Sequence, residues 1–168
     1  VVDIAADTSA TGANIATNTD AAYTQVRRIG SILRESAAIV AVVQTGDLFM
    51  RKSPLLDITA ATPGSSAVTR TLLVPTGVIL EAIINFSLSG TTNDFAYFSA
   101  LSQTDVAASN TAAPLAQGGI AGAGVTSLDI ARIITNTSAQ IRSRLLSGAA
   151  GTLYISSQGW VDRRGRDD

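Results

Sequence analysis

The chain reads as an all-β protein, an antiparallel β-sandwich or jelly roll of about ten strands with an extended N-terminal arm. Three observations predict this. Apolar residues recur with period two, the spacing that sends successive side chains to opposite faces of a strand. Clusters of Gly, Pro, Asn and Ser interrupt these segments at short intervals, as they do in sandwiches. Apolar residues make up 46% of the chain but aromatics only 5%, so the core must come mainly from Val, Ile, Leu and Ala, the first two being natural strand formers.

Residues 1–22 are rich in Ala, Thr, Asn and Asp and lose periodicity after the opening Val-Val-Asp-Ile. They read as a short strand and then an arm or linker, continuing from an upstream segment, since the chain opens without methionine. A helix over residues 14–22, capped by Thr19 or Asp20, is opposed by the weak helix propensity of Thr and Asn.

The sandwich is expected over residues 23–161. Tyr23, Val26, Ile29 and Ile32 form a first strand around Gly30, and Glu35-Ser-Ala-Ala38 forms a turn. Ala37-Ala-Ile-Val-Ala-Val-Val-Gln44 is a β-branched run of the buried-strand kind. Thr45-Gly-Asp47 turns into a short strand at Leu48, Pro54 bounds Leu55-Leu-Asp-Ile-Thr-Ala60, and Thr62-Pro-Gly-Ser-Ser66 is a strong turn. Residues 67–74 alternate up to the Pro75-Thr-Gly77 turn. The clearest strand is residues 78–89, with Val78, Leu80, Ala82, Ile84, Phe86 and Leu88 on one face. After a turn at 89–94, Phe95, Tyr97 and Phe98 mark a strand. Residues 103–124 are small and loop-like, a length that points to function, mobility or subunit contact. Residues 125–136 suit a strand pair or a short helix capped by Ser127, and β-branching favours strand. Residues 139–148 and 151–161 are expected to pair as a hairpin around Ser147-Gly-Ala-Ala-Gly151. The last seven residues, 162–168, are nearly all charged and read as a solvated tail.

Composition removes whole classes of chemistry. There is no cysteine, hence no disulfide, zinc-thiolate site or thiol nucleophile, and no histidine, the usual general base and metal ligand. No Asp-x-Asn/Asp-x-Asn/Asp-Gly spacing for calcium occurs. The expectation is therefore no catalytic, cofactor or metal residue, and no enzyme. The net charge of −1 with a single lysine, Lys52, lacks the cationic field that phosphate backbones require, so no nucleic-acid partner is expected. Without a run of 18 or more apolar residues there is no membrane-spanning helix in the sequence pattern. Charged residues are 15% of the chain, against about 25% in ordinary domains, and this favours a surface buried against copies of itself.

The remaining candidates have plain alternatives. Glu81, Asp94 and Asp105 are the carboxylates a polysaccharide depolymerase could use, yet Asp94 and Asp105 sit where turns favour Asp, and Glu81 is an outward position. Arg27 and Arg28 point to opposite strand faces. One could contact an anion or lipopolysaccharide; an ion pair, for instance with Asp47, is the simpler role. Trp160, the sole tryptophan, could stack on a sugar or close the core.

Three stretches carry a resemblance. Tyr23, Arg27, Arg28, Gly30 and Ser31 lead to Gln44, Gly46, Asp47 and Phe49. The segment 53–78 follows, with Val74-Pro75-x-Gly77-Val78, and the opening Val-Val-Asp-Ile precedes both. This order resembles the C-terminal module of tail-fibre-like structural proteins of tailed bacteriophages and prophages. It covers roughly the first half of the chain. The segment 33–44 departs from the family's Asp-, Ser- and Gly-rich turn. The resemblance implies a β-sandwich in a virion, released extracellularly with the particle, and no catalytic site. The expected partners are further copies of the chain, as a symmetric homo-oligomer with a trimer foremost, and other virion proteins, in a tail fibre, collar, neck appendage or decoration. The alternative is a host-attachment module that presents residues 90–94 and 103–124 to a surface glycan.

Overall fold

The computed structural model of the protein describes residues 28–62, 64–89, 94–109, 111–120, 126–146 and 151–163. The expected arm over residues 1–22 lies outside them, as do the expected turn residues 90–93.

Eleven strands form among the described residues: β1 (Arg34–Glu35), β2 (Ala38–Ile39), β3 (Val42–Thr45), β4 (Leu48–Ala61), β5 (Val68–Thr71), β6 (Glu81–Ser89), β7 (Asp94–Ser99), β8 (Gly118–Ile120), β9 (Thr126–Ile134), β10 (Gln140–Leu145) and β11 (Thr152–Val161). Apart from the small β1–β2 hairpin they build a five-stranded sheet in the order β3-β4-β11-β6-β9 and a four-stranded sheet in the order β5-β10-β7-β8. The last eight strands pair in nested antiparallel couples, β4 with β11, β5 with β10, β6 with β9 and β7 with β8. Successive couples alternate between the sheets, which is the jelly-roll arrangement.

Strict alternation supplies the core. On β6 the inward Ala82, Ile84, Phe86 and Leu88 are buried, and β10 and β11 contribute Ile141, Leu145, Leu153 and Ile155. Phe86 and Phe98 join the sheets as a tilted ring pair, centroids 4.7 Å apart. At one end Trp160 stacks on Phe49 at 5.5 Å, nearly parallel, and donates its indole N–H to Ser31 Oγ at 2.9 Å.

Two of the three irregularities on the β4–β11 seam make this closure possible. The pairing skips Asp57 on β4 and Gln158 on β11, so each strand carries a bulge that re-aims its neighbours. The Gln158 bulge shifts the phase of β11, allowing Ser157 and Trp160 both to face inward. Beside it, β4 approaches so closely that a Cβ on Gly159 would stand 2.2 Å from the Phe49 carbonyl oxygen. The Asp57 bulge aims a carboxylate that accepts the backbone N–H groups of Leu73 (2.9 Å) and Ser157 (3.0 Å), and also the Ser157 hydroxyl. Arg51 of β4 donates to the Leu73 carbonyl at 3.1 Å and grips Glu35 through both terminal nitrogens, at 2.8 and 2.9 Å. Leu73 begins the crossover from β5 to β6, so two β4 side chains pin the passage between sheets. The β9-to-β10 crossover lies beside it, joined by Gly77 N–H to Thr137 O and Leu72 N–H to Ala139 O. It is folded on Asn136, whose Oδ1 accepts the N–H groups of Ser138 and Gln140.

Several expectations need correction. Residues 139–148 and 151–161 do not form a hairpin: β10 pairs with β5 and β7 and β11 with β4 and β6, as central strands of different sheets, and an inward apolar face fits either connection. The strand starting at Leu48 does not stop at Pro54, because residues 51–54 have no partners on β11 and a missing N–H costs nothing there. The β-branched run around Ile39 is an edge ribbon and is not buried; Ile39 is 67% exposed. Residue 162 is not part of a solvated tail, for Asp162 is fully buried. The segment 126–134 is a strand, and β8 interrupts the expected loop at 118–120.

The Gly159→Ala variant is expected to lose about 1–3 kcal/mol or more, since the clash is with backbone. Asp57→Ala, which leaves two backbone donors without their acceptor, should lose about 2–4 kcal/mol. Conversely, Ser36 and Ala37 form the β1–β2 turn with φ of 47° and 65°, a conformation suited to Asn-Gly. The Ser36→Asn/Ala37→Gly double variant should gain about 1 kcal/mol. Urea unfolding followed by Trp160 fluorescence measures all three.

Candidate functional site

The side chains singled out in the sequence are scattered and occupied. Glu81, on β6, pairs with Arg132 of β9 at 3.1 Å, and Asp105 pairs with Arg144 of β10 at 2.7 Å. They belong to opposite sheets and form no carboxylate pair. The Asp94 side chain lies outside the described residues, as does Arg27. Arg28 pairs with Asp162 at 3.1 Å and not with Asp47. The end of β11 runs beside the start of β4, so the Asp47 carbonyl receives the Asp162 N–H at 2.9 Å, which carries the buried carboxylate to Arg28. Trp160 is 1% exposed and offers no platform for a sugar. No group of three acidic, Cys or His side chains that could hold a metal exists among the described residues.

A groove of about 300 Å3 lies between the β1–β2 hairpin and residues 51–55 of β4, lined among others by Ile39, Val40 and Leu55. Its charged groups, Arg51 and Glu35, are bound to each other and to Leu73, which leaves an apolar floor. Burial also lowers the pKa of Arg70 from its usual value; that guanidinium, on β5, bonds Ser143 Oγ and the Thr62 carbonyl. Neither place gathers reactive groups.

The two outer faces of the sandwich contrast. Residues 101–105 are tethered over the outer face of the four-stranded sheet. Arg142 of β10 donates to the carbonyls of Gln103 (2.8 Å) and Leu101 (3.3 Å), and Arg144 holds Asp105. Under this cover the outward Ser99 of β7 is only 3% exposed. The 103–124 segment therefore contains a flap tethered at its start, a fact that no periodicity could signal because its ties are long-range.

The outer face of the five-stranded sheet carries no such layer among the described residues. Its side chains form cross-strand rows. One row runs Val43, Met50, Gly159, Ile83, Arg132; its neighbour runs Thr45, Leu48, Val161, Glu81, Ile134. A third runs Leu56, Ser156, Asn85, Ile130. These rows hold one ion pair, Glu81–Arg132, and eight large apolar side chains. Ile130 is 64% exposed, and Val43, Leu56 and Ile134 are exposed as well. A solvated sheet face ordinarily alternates to polar residues. Sequence reading missed this surface because β9 was legible as a strand but not as an edge.

Compared with known proteins, the chain matches no family model and no curated sequence.

Breaking the buried pair with Arg28→Ala should cost about 3 kcal/mol, read by urea unfolding. Trp160 emission should stay blue-shifted and unquenched by iodide, and should not respond to added oligosaccharides; a saccharide-induced shift would contradict its placement in the core.

Proposed function

We propose that the protein is a non-enzymatic structural subunit of a bacteriophage particle that works by assembling with copies of itself in a symmetric oligomer. The observation that carries this reading is the apolar outer face of the five-stranded sheet, uncovered among the described residues, on a sandwich whose interior is filled by side chains. Burying exposed Ile, Leu and Val removes apolar surface from water at about 25 cal/mol per Å2, so contact is what this surface is built to supply. The jelly roll agrees with the reading, since capsid and lectin domains use it, although a fold by itself does not specify a function. The tail-fibre-like pattern from Tyr23 to Val78 supports a phage particle as the setting. A tail fibre, collar, neck appendage or decoration site would each suit such a subunit.

The purified chain is expected to run as a stable oligomer, a trimer foremost, in light scattering coupled to gel filtration. It should show no saturable binding on a glycan array and no turnover of polysaccharides. In cryo-microscopy of the phage that encodes it, the chain should account for density in the particle. A monomer at all accessible concentrations, or polysaccharide cleavage, would overturn the proposal; saturable glycan binding would replace it with the host-attachment reading.

A further inference from the structure

We infer that the outer face of the five-stranded sheet is the self-association surface, packed face to face against a second copy of this chain. The inference rests on the oligomeric reading above and deepens it by assigning the interface to one face in preference to the β9 edge.

Three features select a copy of the chain as the occupant. The first is charge. The three rows carry only Glu81 and Arg132, already paired at 3.1 Å, and the exposed Lys52, next in the outward phase of β4 after Met50, adds a single charge, so two such faces meet with little repulsion. A strongly charged partner would find only that one lysine to complement. The second is extent. With strands about 4.8 Å apart and side chains on one face about 6.8 Å apart along a strand, five strands and three rows cover roughly 400–500 Å2 in projection. Side-chain relief enlarges this towards the about 800 Å2 per partner of a stable interface. The third is asymmetry: among the described residues the outer face of the other sheet has Leu101, Gln103 and Asp105 tethered over it, whereas this face carries no such layer.

The edge of the same sheet is less suited to the task. Thr135 N–H bonds Leu80 O in line with β6, so even-numbered N–H groups of β9 point away from β6, towards the free edge. There the Asp129 carboxylate accepts the Ile130 N–H at 2.7 Å. A carboxylate on an edge amide is a device that discourages strand addition. Face packing leaves that contact intact and needs no change in β9.

The test uses the full chain. Ile130→Asp/Ile134→Asp places two charges on the face at exposed positions. Leu115→Asp does the same on the flap, and Trp160 fluorescence verifies that both variants fold. The expected result is that the first falls to monomer mass at concentrations where the wild type and the second remain assembled. A cysteine-free chain allows a second measurement. In the assembled protein, maleimide should label the thiol of Ile130→Cys about tenfold more slowly than that of Leu115→Cys. If both first-face variants behave like their flap counterparts while the wild type is oligomeric, the face assignment is wrong and the oligomeric proposal stands. If the wild type itself is monomeric, both are wrong.

Discussion

The carboxylate of Asp57 is the interaction on which the rest of the structure hangs. It sits in a bulge at the middle of β4 and receives N–H groups from β11 and from the start of the β5–β6 crossover. One residue thus joins the outermost nested couple of the jelly roll to the passage between sheets. With Arg51 holding the Leu73 carbonyl and Glu35, it also ties the β1–β2 ribbon to that passage. These groups lie in partly buried ground, where a satisfied charge-assisted hydrogen bond is strong and a broken one is costly. The apolar core provides the driving force for collapse. The Asp57 and Arg51 clamp selects which of the compact arrangements is reached.

A second consequence concerns the distribution of surface. The protein spends Arg142 and Arg144 on tethering its own chain over one sheet, and Glu81 and Arg132 on neutralising each other on the other. Among the described residues these charges are thereby engaged in internal ties. What remains outward in the rows of the five-stranded sheet is mainly aliphatic, and this links composition to the structural role proposed for the molecule.

Much of the strand content was legible because period two is a local property. The inward set of β6 and the turns at Gly46, Gly64 and Gly77, all with positive φ, follow from residue type and spacing. The β10–β11 error had a physical origin: in a hairpin and in a crossover between sheets the flanking strands look alike, because each needs only an inward apolar face. Pro54 misled for a related reason. Its missing N–H matters only where a partner strand asks for it, and partnership is not local. The run around Ile39 has the composition of a buried strand, but its position at the edge leaves one side open. Of the candidate side chains, Trp160 resolved to a core residue and Arg28 to an ion pair with Asp162, a partner the sequence separates from it by almost the whole domain.

By itself the sequence determined the fold class, the residue types of the core and the absence of imidazole and thiol chemistry, since each depends on composition or on neighbours along the chain. Only the tertiary structure decided which strands are central, which polar side chains clamp the crossovers and which outer face is bare among the described residues. Those outcomes depend on contacts between residues far apart in the chain, where the geometry of closure, rather than local propensity, sets the free energy.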